Sequence, residues 1–253
     1  MSSNVGILSE QQIAGAINGK PFREINRNLQ TMLRMIFPDL SDDSVVSAFQ
    51  LNSIYKPDIE LKFNGKTRYI SVKTNHANEV HGEFIDSLMN FLETKGISKE
   101  TIDTLRLVHY GDGTTNGTGS KRYNTFDTTL KYHDRMIKAN KELNASHQLM
   151  FDLINRVMIQ GIDPNAKKID YIYFGTVDYG NLVSMNQIYA YITRKSWDHF
   201  NCLHIGPIFF KPKARYVDSQ IVSEYRRRLC VCYWPNLGDD LGYMSRRYTF
   251  KSI

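Results

Sequence analysis

Residues Lys56 to Thr74, KPDIELKFNGKTRYISVKT, gather the side chains best suited to chemistry. Asn64-Gly65 is a strong two-residue hairpin signal, flanked by alternating arms. Ile59, Leu61 and Phe63 mark the apolar face of the first arm, Ile70 and Val72 that of the second. With a side-chain period of two, Asp58, Glu60, Ser71 and Lys73 then share the polar face. Phosphodiester hydrolysis needs an activated water and neutralisation of crowded nonbridging oxygens. Carboxylates holding Mg2+, or Mn2+ in its place, supply both, and a lysine beside them orients the water and stabilises developing negative charge. Asp58 is the expected primary metal ligand and Glu60 a second on its face. Pro57 biases Lys56 toward an extended conformation and fixes the start of the strand.

The elements that must position this hairpin are legible by periodicity. Ile25, Leu29, Met32, Leu33 and Ile36 predict an amphipathic helix from Phe22, stopped by Pro38, with Glu24 at its start. Residues 1–20, small and polar with brief apolar patches, read as a frayed arm. After the hairpin a helix is expected from Glu79–Glu83, burying Phe84, Leu88, Phe91 and Leu92. TLRLVHY, 104–110, reads as a strand and the glycine-rich run 111–122 as a flexible loop. A helical region over 126–159 breaks near Asn144-Ala145. Strands follow at 170–175, 202–210 and 229–233, with a helix over 185–193. The expected fold is α/β, a mixed central sheet flanked by helices, in one domain spanning 1–253.

At 253 residues with a formal charge of +6, the chain favours an anionic partner. Lys121, Arg122, Lys131, Arg135, Lys138 and Lys141 interleave with Tyr123 and Tyr132. If helical, Lys131, Arg135 and Lys138 lie near one face. Arg226-Arg227-Arg228 is a second basic concentration. Phosphate contacts by Lys121, Arg122, Lys131, Arg135, Lys138, Arg226 and Arg228 would give salt-dependent DNA affinity. The three cysteines form no disulfide framework, and Cys230-Val231-Cys232 is neither a zinc pair nor a thioredoxin-like pair. No long apolar run is present, so a cytoplasmic protein without membrane association is expected.

Pro57-Asp58 followed by Ser71-Val72-Lys73 resembles the PD-(D/E)xK nuclease superfamily, the restriction-endonuclease-like fold. The likeness covers about residues 56–83 at motif level, and the helix, hairpin, helix order extends it over roughly 22–95. The resemblance implies metal-binding acids and a lysine converging at one edge of a mixed sheet. Ser71 departs from it, standing where the pattern carries an acid. In variants of the family the acid moves to a neighbouring helix and the serine contributes less. Glu83 then fits as the displaced metal ligand, with Glu79 and Asp86 as alternatives, and Glu24 matches the place of an auxiliary acid. The resemblance implies a Mg2+-dependent endonuclease acting on double-stranded DNA, similar to a type II restriction enzyme and homodimeric, with repair or mobile-element processing as other roles.

Each of these residues also has an ordinary use. An exposed hairpin alternates charge to solvate one face, as Lys62 and Lys66 are expected to do. Glu83 suits the charge at a helix start, Glu60 an ion pair with a lysine, and Glu24 a surface salt bridge. His76 and His81 flank the centre and fit phosphate contact or polar packing, but complete no zinc set. Two other classes compete with the enzyme. One is a nuclease-like DNA-binding protein that has lost catalysis. The other is a structural protein with incidental basicity.

Overall fold

The computed structural model describes residues 3–51, 56–74, 78–120, 123–197, 201–214 and 223–247. Its contacts divide the chain into two compact units, each assembled from separate stretches. The first comprises Met1–Ala77, Asn155–Tyr191 and Asn236–Ile253; the second comprises Asn78–Ile154 and Ile192–Pro235.

The first unit is built on a mixed five-stranded sheet. Helix α1 (Ser3–Ile17) is followed by a 3-10 turn, Phe22–Glu24, and helix α2 (Arg27–Ile36). Asn26 caps α2 by accepting from the Asn28 amide, and the helix ends at Phe37, immediately before Pro38. Strands β1 (Ser47–Gln50), β2 (Ile59–Phe63) and β3 (Lys66–Lys73) form an antiparallel meander. Strand β5 (Tyr171–Gly175) joins β3 in parallel and pairs antiparallel with β6 (Gly180–Ser184), giving the order β1-β2-β3-β5-β6. The turn between β2 and β3 is the expected one: Asn64 and Gly65 both have positive φ, 45° and 71°.

Alternation sorts the two faces of this sheet. Ala48, Ile59, Leu61, Ile70, Val72, Tyr173 and Leu182 join Ile13 and Ile17 of α1 and Leu29, Leu33 and Ile36 of α2 in one buried core. On the opposite face α9 (Leu237–Arg247) lies against β5 and β6, where Phe174 meets Gly238. Burying several large aliphatic side chains contributes roughly 2 kcal/mol each. That contribution fixes the register, since a slip of one residue would turn Ile59 and Leu61 outward.

The second unit holds an antiparallel sheet, β4 (Glu79–Phe84), β9 (Leu229–Tyr233), β8 (Ile208–Pro212) and β7 (His204–Ile205), in the order β4-β9-β8-β7. Helices α3 (Ile85–Thr94), α4 (Lys99–Tyr110), α5 (Thr125–Leu143) and α6 (His147–Ile154) pack in this unit. A π-helical segment (Asn155–Ile159), helix α7 (Met185–Arg194) and the short α8 (Glu224–Arg227) complete the described elements. Among the described residues no helix is long and apolar enough to cross a membrane.

Four sequence expectations change. Residues 3–17 form a helix, not a frayed arm. Glu79–Glu83 belong to a strand, and the helix begins only at Ile85. TLRLVHY lies inside α4, whose buried residues Thr101, Thr104, Leu105 and Val108's neighbour Leu107 follow helical spacing, capped by Ser98 and ended by Gly111 at φ 62°. The described part of the glycine-rich run is tied down. Asp112 accepts from the Thr114 amide at 2.9 Å, the Thr114 hydroxyl at 2.8 Å and the Gly119 amide at 3.0 Å, and faces Arg227 at 3.5 Å. Its side chain is fully buried. Replacing Asp112 with Ala leaves the partly buried Thr114 and Gly119 donors without their acceptor and removes one of the Arg227 guanidinium's partners, beside the Gly117 carbonyl and Glu224. The expected cost is roughly 3 kcal/mol, read as a lower urea midpoint.

Candidate functional site

The polar face anticipated on the hairpin is present. Ile59 stands opposite Ile70 and Glu60 opposite Tyr69, which brings Asp58, just before β2, level with Ser71. The Asp58 amide donates to the Ile70 carbonyl at 2.8 Å, and its carbonyl accepts from the Leu51 amide at 2.8 Å, so its backbone is held from both sides. Its carboxylate is held as well. Oδ2 accepts from Ser71 Oγ at 2.9 Å and from the Val72 amide at 2.6 Å. Lys73 Nζ lies 3.9 Å from the same oxygen. These bonds engage one oxygen and leave Oδ1 without a protein hydrogen bond among the described residues. The Asp58 and Lys73 side chains remain 20% and 25% exposed, so a substrate can reach both.

Ser71 therefore does something other than ligate. Buried to 1% exposure, it spends its hydroxyl proton on Asp58 and fixes that carboxylate's rotation. Another acid of the same unit, one that sequence reasoning passed over, is electrostatically coupled to Asp58. Glu10, on α1, accepts from Gln50 Nε2 at 3.0 Å, and Gln50 ends β1 beside the point where Asp58 enters β2. Burial pushes the Glu10 carboxyl above its ordinary value, the Gln50 hydrogen bond pulls it back, the Asp58 charge adds to the rise, and Lys73 opposes it. The available signal was modest: Gln11, Gln12, Ala14 and Ala16 favour helix, and Ile13 and Ile17 stand four apart.

The other expected acids lie elsewhere. Glu60 is on the predicted strand, but Lys62 at 2.6 Å and Lys167 at 3.1 Å engage it. The Lys62 hydrogen bond leads in holding its carboxyl below the usual range, burial opposes, and Lys167 and Tyr69 assist. Glu24, itself exposed, ends the 3-10 turn, so it is not on the first helix. Glu83 is a strand residue of the second unit, 4% exposed, with its carboxylate 3.6 Å from His81 Nε2. In that unit Glu79 pairs with Lys211 and Lys213, and Asp86 with Arg106 and Arg228.

The expected DNA-contacting residues belong to the second unit. Lys131 is exposed, with Nζ 4.6 Å from the Tyr123 ring centroid and 5.4 Å from that of Tyr132. Lys138 and Arg226 are exposed. Arg135 turns inward to donate to Thr104 at 3.2 Å, and Arg228 is drawn to Asp86 and the Phe84 ring. Lys121, Arg122 and His76 lie outside the described residues.

Among the described residues no three His, Cys, Asp or Glu side chains are gathered closely enough to hold a metal alone. Mg2+ does not require such a cage, since it commonly uses one or two carboxylates and keeps waters and substrate phosphate oxygens as its remaining ligands. Asp58 and Glu10 fit that requirement. A divalent cation bound there would offset the burial and the Asp58 charge that raise Glu10.

No family model matches the chain, and no curated protein matches it.

Because the folded chain holds the Glu10 proton more tightly than the unfolded chain does, the carboxyl's stabilising contribution is complete at acid pH. It is lost as pH rises through the folded value. Glu10→Gln, which keeps a partner for Gln50, is expected to raise the urea midpoint at pH 7 in the absence of divalent metal. At pH below the unfolded value of Glu the gain should vanish. Denaturation curves across pH check this.

Proposed function

We propose that the chain is a metal-dependent endonuclease of the restriction-endonuclease-like type, hydrolysing phosphodiester bonds of double-stranded DNA. The observation that carries this reading is Asp58 held at the start of β2 by Ser71 and the Val72 amide, with Lys73 at the end of β3 3.9 Å from the same oxygen. Asp58 Oδ1 and the Glu10 carboxylate would hold Mg2+, or Mn2+ in its place. Bound there, the cation supplies charge neutralisation at the scissile phosphate and lowers the pKa of a coordinated water. Ser71 and the Val72 amide keep Asp58 oriented. Lys73, 3.9 Å from Asp58, is placed to orient the attacking water and to balance charge as the pentacovalent phosphorus forms. The strand order β1-β2-β3-β5-β6, with a parallel step between β3 and β5, supports the fold assignment.

The exposed Lys131, Lys138 and Arg226 of the second unit are proposed phosphate contacts. A homodimer would place two such sites on opposite strands of a symmetric target, in keeping with a sequence-specific type II-like restriction enzyme. One observation favours a second reading, a DNA-binding protein without catalysis: Ser71 replaces an acid and is committed to Asp58, leaving two carboxylates where related sites hold more.

Incubation of the purified protein with long, diverse double-stranded DNA in Mg2+ and in Mn2+ separates the two readings. The nuclease reading predicts discrete fragments, abolished by EDTA and by Asp58→Ala. Lys73→Ala should cost about a hundredfold in rate and Ser71→Ala about tenfold, as an orienting partner does. DNA binding without cleavage under every metal condition would establish the second reading.

A further inference from the structure

The polar face that carries Asp58 continues past it within the first unit. Phe49 of β1 stands opposite Glu60 of β2, and Glu60 opposite Tyr69 of β3, so the three make one row across the sheet. Ala48, Ile59 and Ile70 turn to the core, which leaves this row on the same face as Asp58 and Ser71. Two residues of extended strand separate Asp58 from Glu60 by about 6.7 Å. That is about two rises of 3.4 Å along one strand of DNA.

Glu60 is only 8% exposed, and cations cover it. Lys62 Nζ lies 2.6 Å from Oε1 and Lys167 Nζ 3.1 Å from Oε2, so each ammonium takes its own oxygen. A ring backs each of them. Lys62 Nζ is 5.7 Å from the Phe49 centroid and Lys167 Nζ 5.1 Å from that of Tyr69. One carboxylate balances one of the two charges, and one positive charge is left over. The lysine side chains remain 51% and 37% exposed. An ammonium carries three donors, so contact with Glu60 alone does not exhaust it. Lys62 also lines an open groove of about 780 Å³ with Lys66, Thr67, Asp39 and Asp43. There Lys66 is already engaged by Asp39, so the excess charge lies at the Glu60 row.

We propose that Lys62 and Lys167, held side by side by Glu60, clamp a phosphate of the cleaved strand one or two nucleotides from the scissile bond. The proposal rests on the nuclease reading for the identity of the strand. It makes Glu60 a positioning residue for two phosphate-binding lysines and not a metal ligand. A row that only stabilised the sheet would contribute little through ion pairs this exposed, and would leave DNA affinity untouched.

Binding of the full chain to a labelled DNA duplex is measured without divalent metal across about 50–200 mM salt, so cleavage plays no part. Lys167→Met keeps the stem, removes the excess charge and should lower the slope of log K against log salt by about 0.9, as one lost phosphate contact does. Lys62→Met should do the same, Lys167→Arg should restore the wild-type slope, and Lys66→Met should leave it unchanged. Lys167 lies outside the strands, so a folding defect in Lys62→Met would not remove the test. With Mg2+ present, Lys167→Met should raise KM severalfold with kcat nearly unchanged, the mark of binding shared by ground and transition states. A slope unchanged in both Met variants would overturn the clamp and leave the nuclease reading standing. A fall in kcat at constant KM would also overturn it, since the row would then act on Asp58. Absence of DNA binding by the wild-type protein would overturn the clamp and the nuclease reading together.

Discussion

Two hydrogen bonds to a single oxygen, from the Ser71 hydroxyl and the Val72 amide to Asp58 Oδ2, connect the sheet of the first unit to its chemistry. They exist only because β2 and β3 pair in one register, with Ile59 opposite Ile70. That register is set by the apolar core beneath the hairpin and by the positive-φ Asn64-Gly65 turn above it. A one-residue slip would expose Ile59 and Leu61 and would also remove the partners that orient Asp58. Folding and site assembly are here the same event.

The cost of the arrangement falls on Glu10. Helix α1 is held to the sheet by Ile13 and Ile17, and the packing that buries them also brings a second carboxylate toward Asp58. Lys73 offsets only part of the repulsion. Burial leads in raising the Glu10 carboxyl and the Asp58 charge adds to it, so a divalent cation is expected to stabilise this corner, and such local instability commonly accompanies function. Ser71 gives the same lesson in reverse. A short hydroxyl in place of a third carboxylate avoids further crowding of charge and, on the proposed reading, would leave coordination to two acids, waters and substrate oxygens.

The hairpin and its polar face were legible because the signals there are local: a two-residue turn and strict alternation. The same was true of α2, bounded by an asparagine cap and Pro38, and of the break between α5 and α6 near Asn144. Helix α1 was not legible, since its glycines and small residues give weak periodicity and its burial depends on a sheet formed much later in sequence. TLRLVHY is too short for a period of two to be told from one of 3.6, and only the Ser98 cap and the αL Gly111 reveal the helix. Glu79–Phe84 carries charges suited to a helix start, yet cross-strand pairing with Leu229–Tyr233 overrides that preference. Glu10 was missed for the same reason as α1: its role comes from where the helix docks, not from a motif.

The central claim is that Asp58 and Glu10 together form one divalent-cation site. Titration of Mn2+ into the full chain, with free Mn2+ followed by electron paramagnetic resonance, tests it without reference to turnover. One site per chain is predicted in the wild-type protein, weakened by more than about tenfold in Asp58→Ala and in Glu10→Gln, and unchanged in Glu83→Gln. Binding that survives both Asp58→Ala and Glu10→Gln, or no binding in the wild-type protein with or without DNA, would contradict the account.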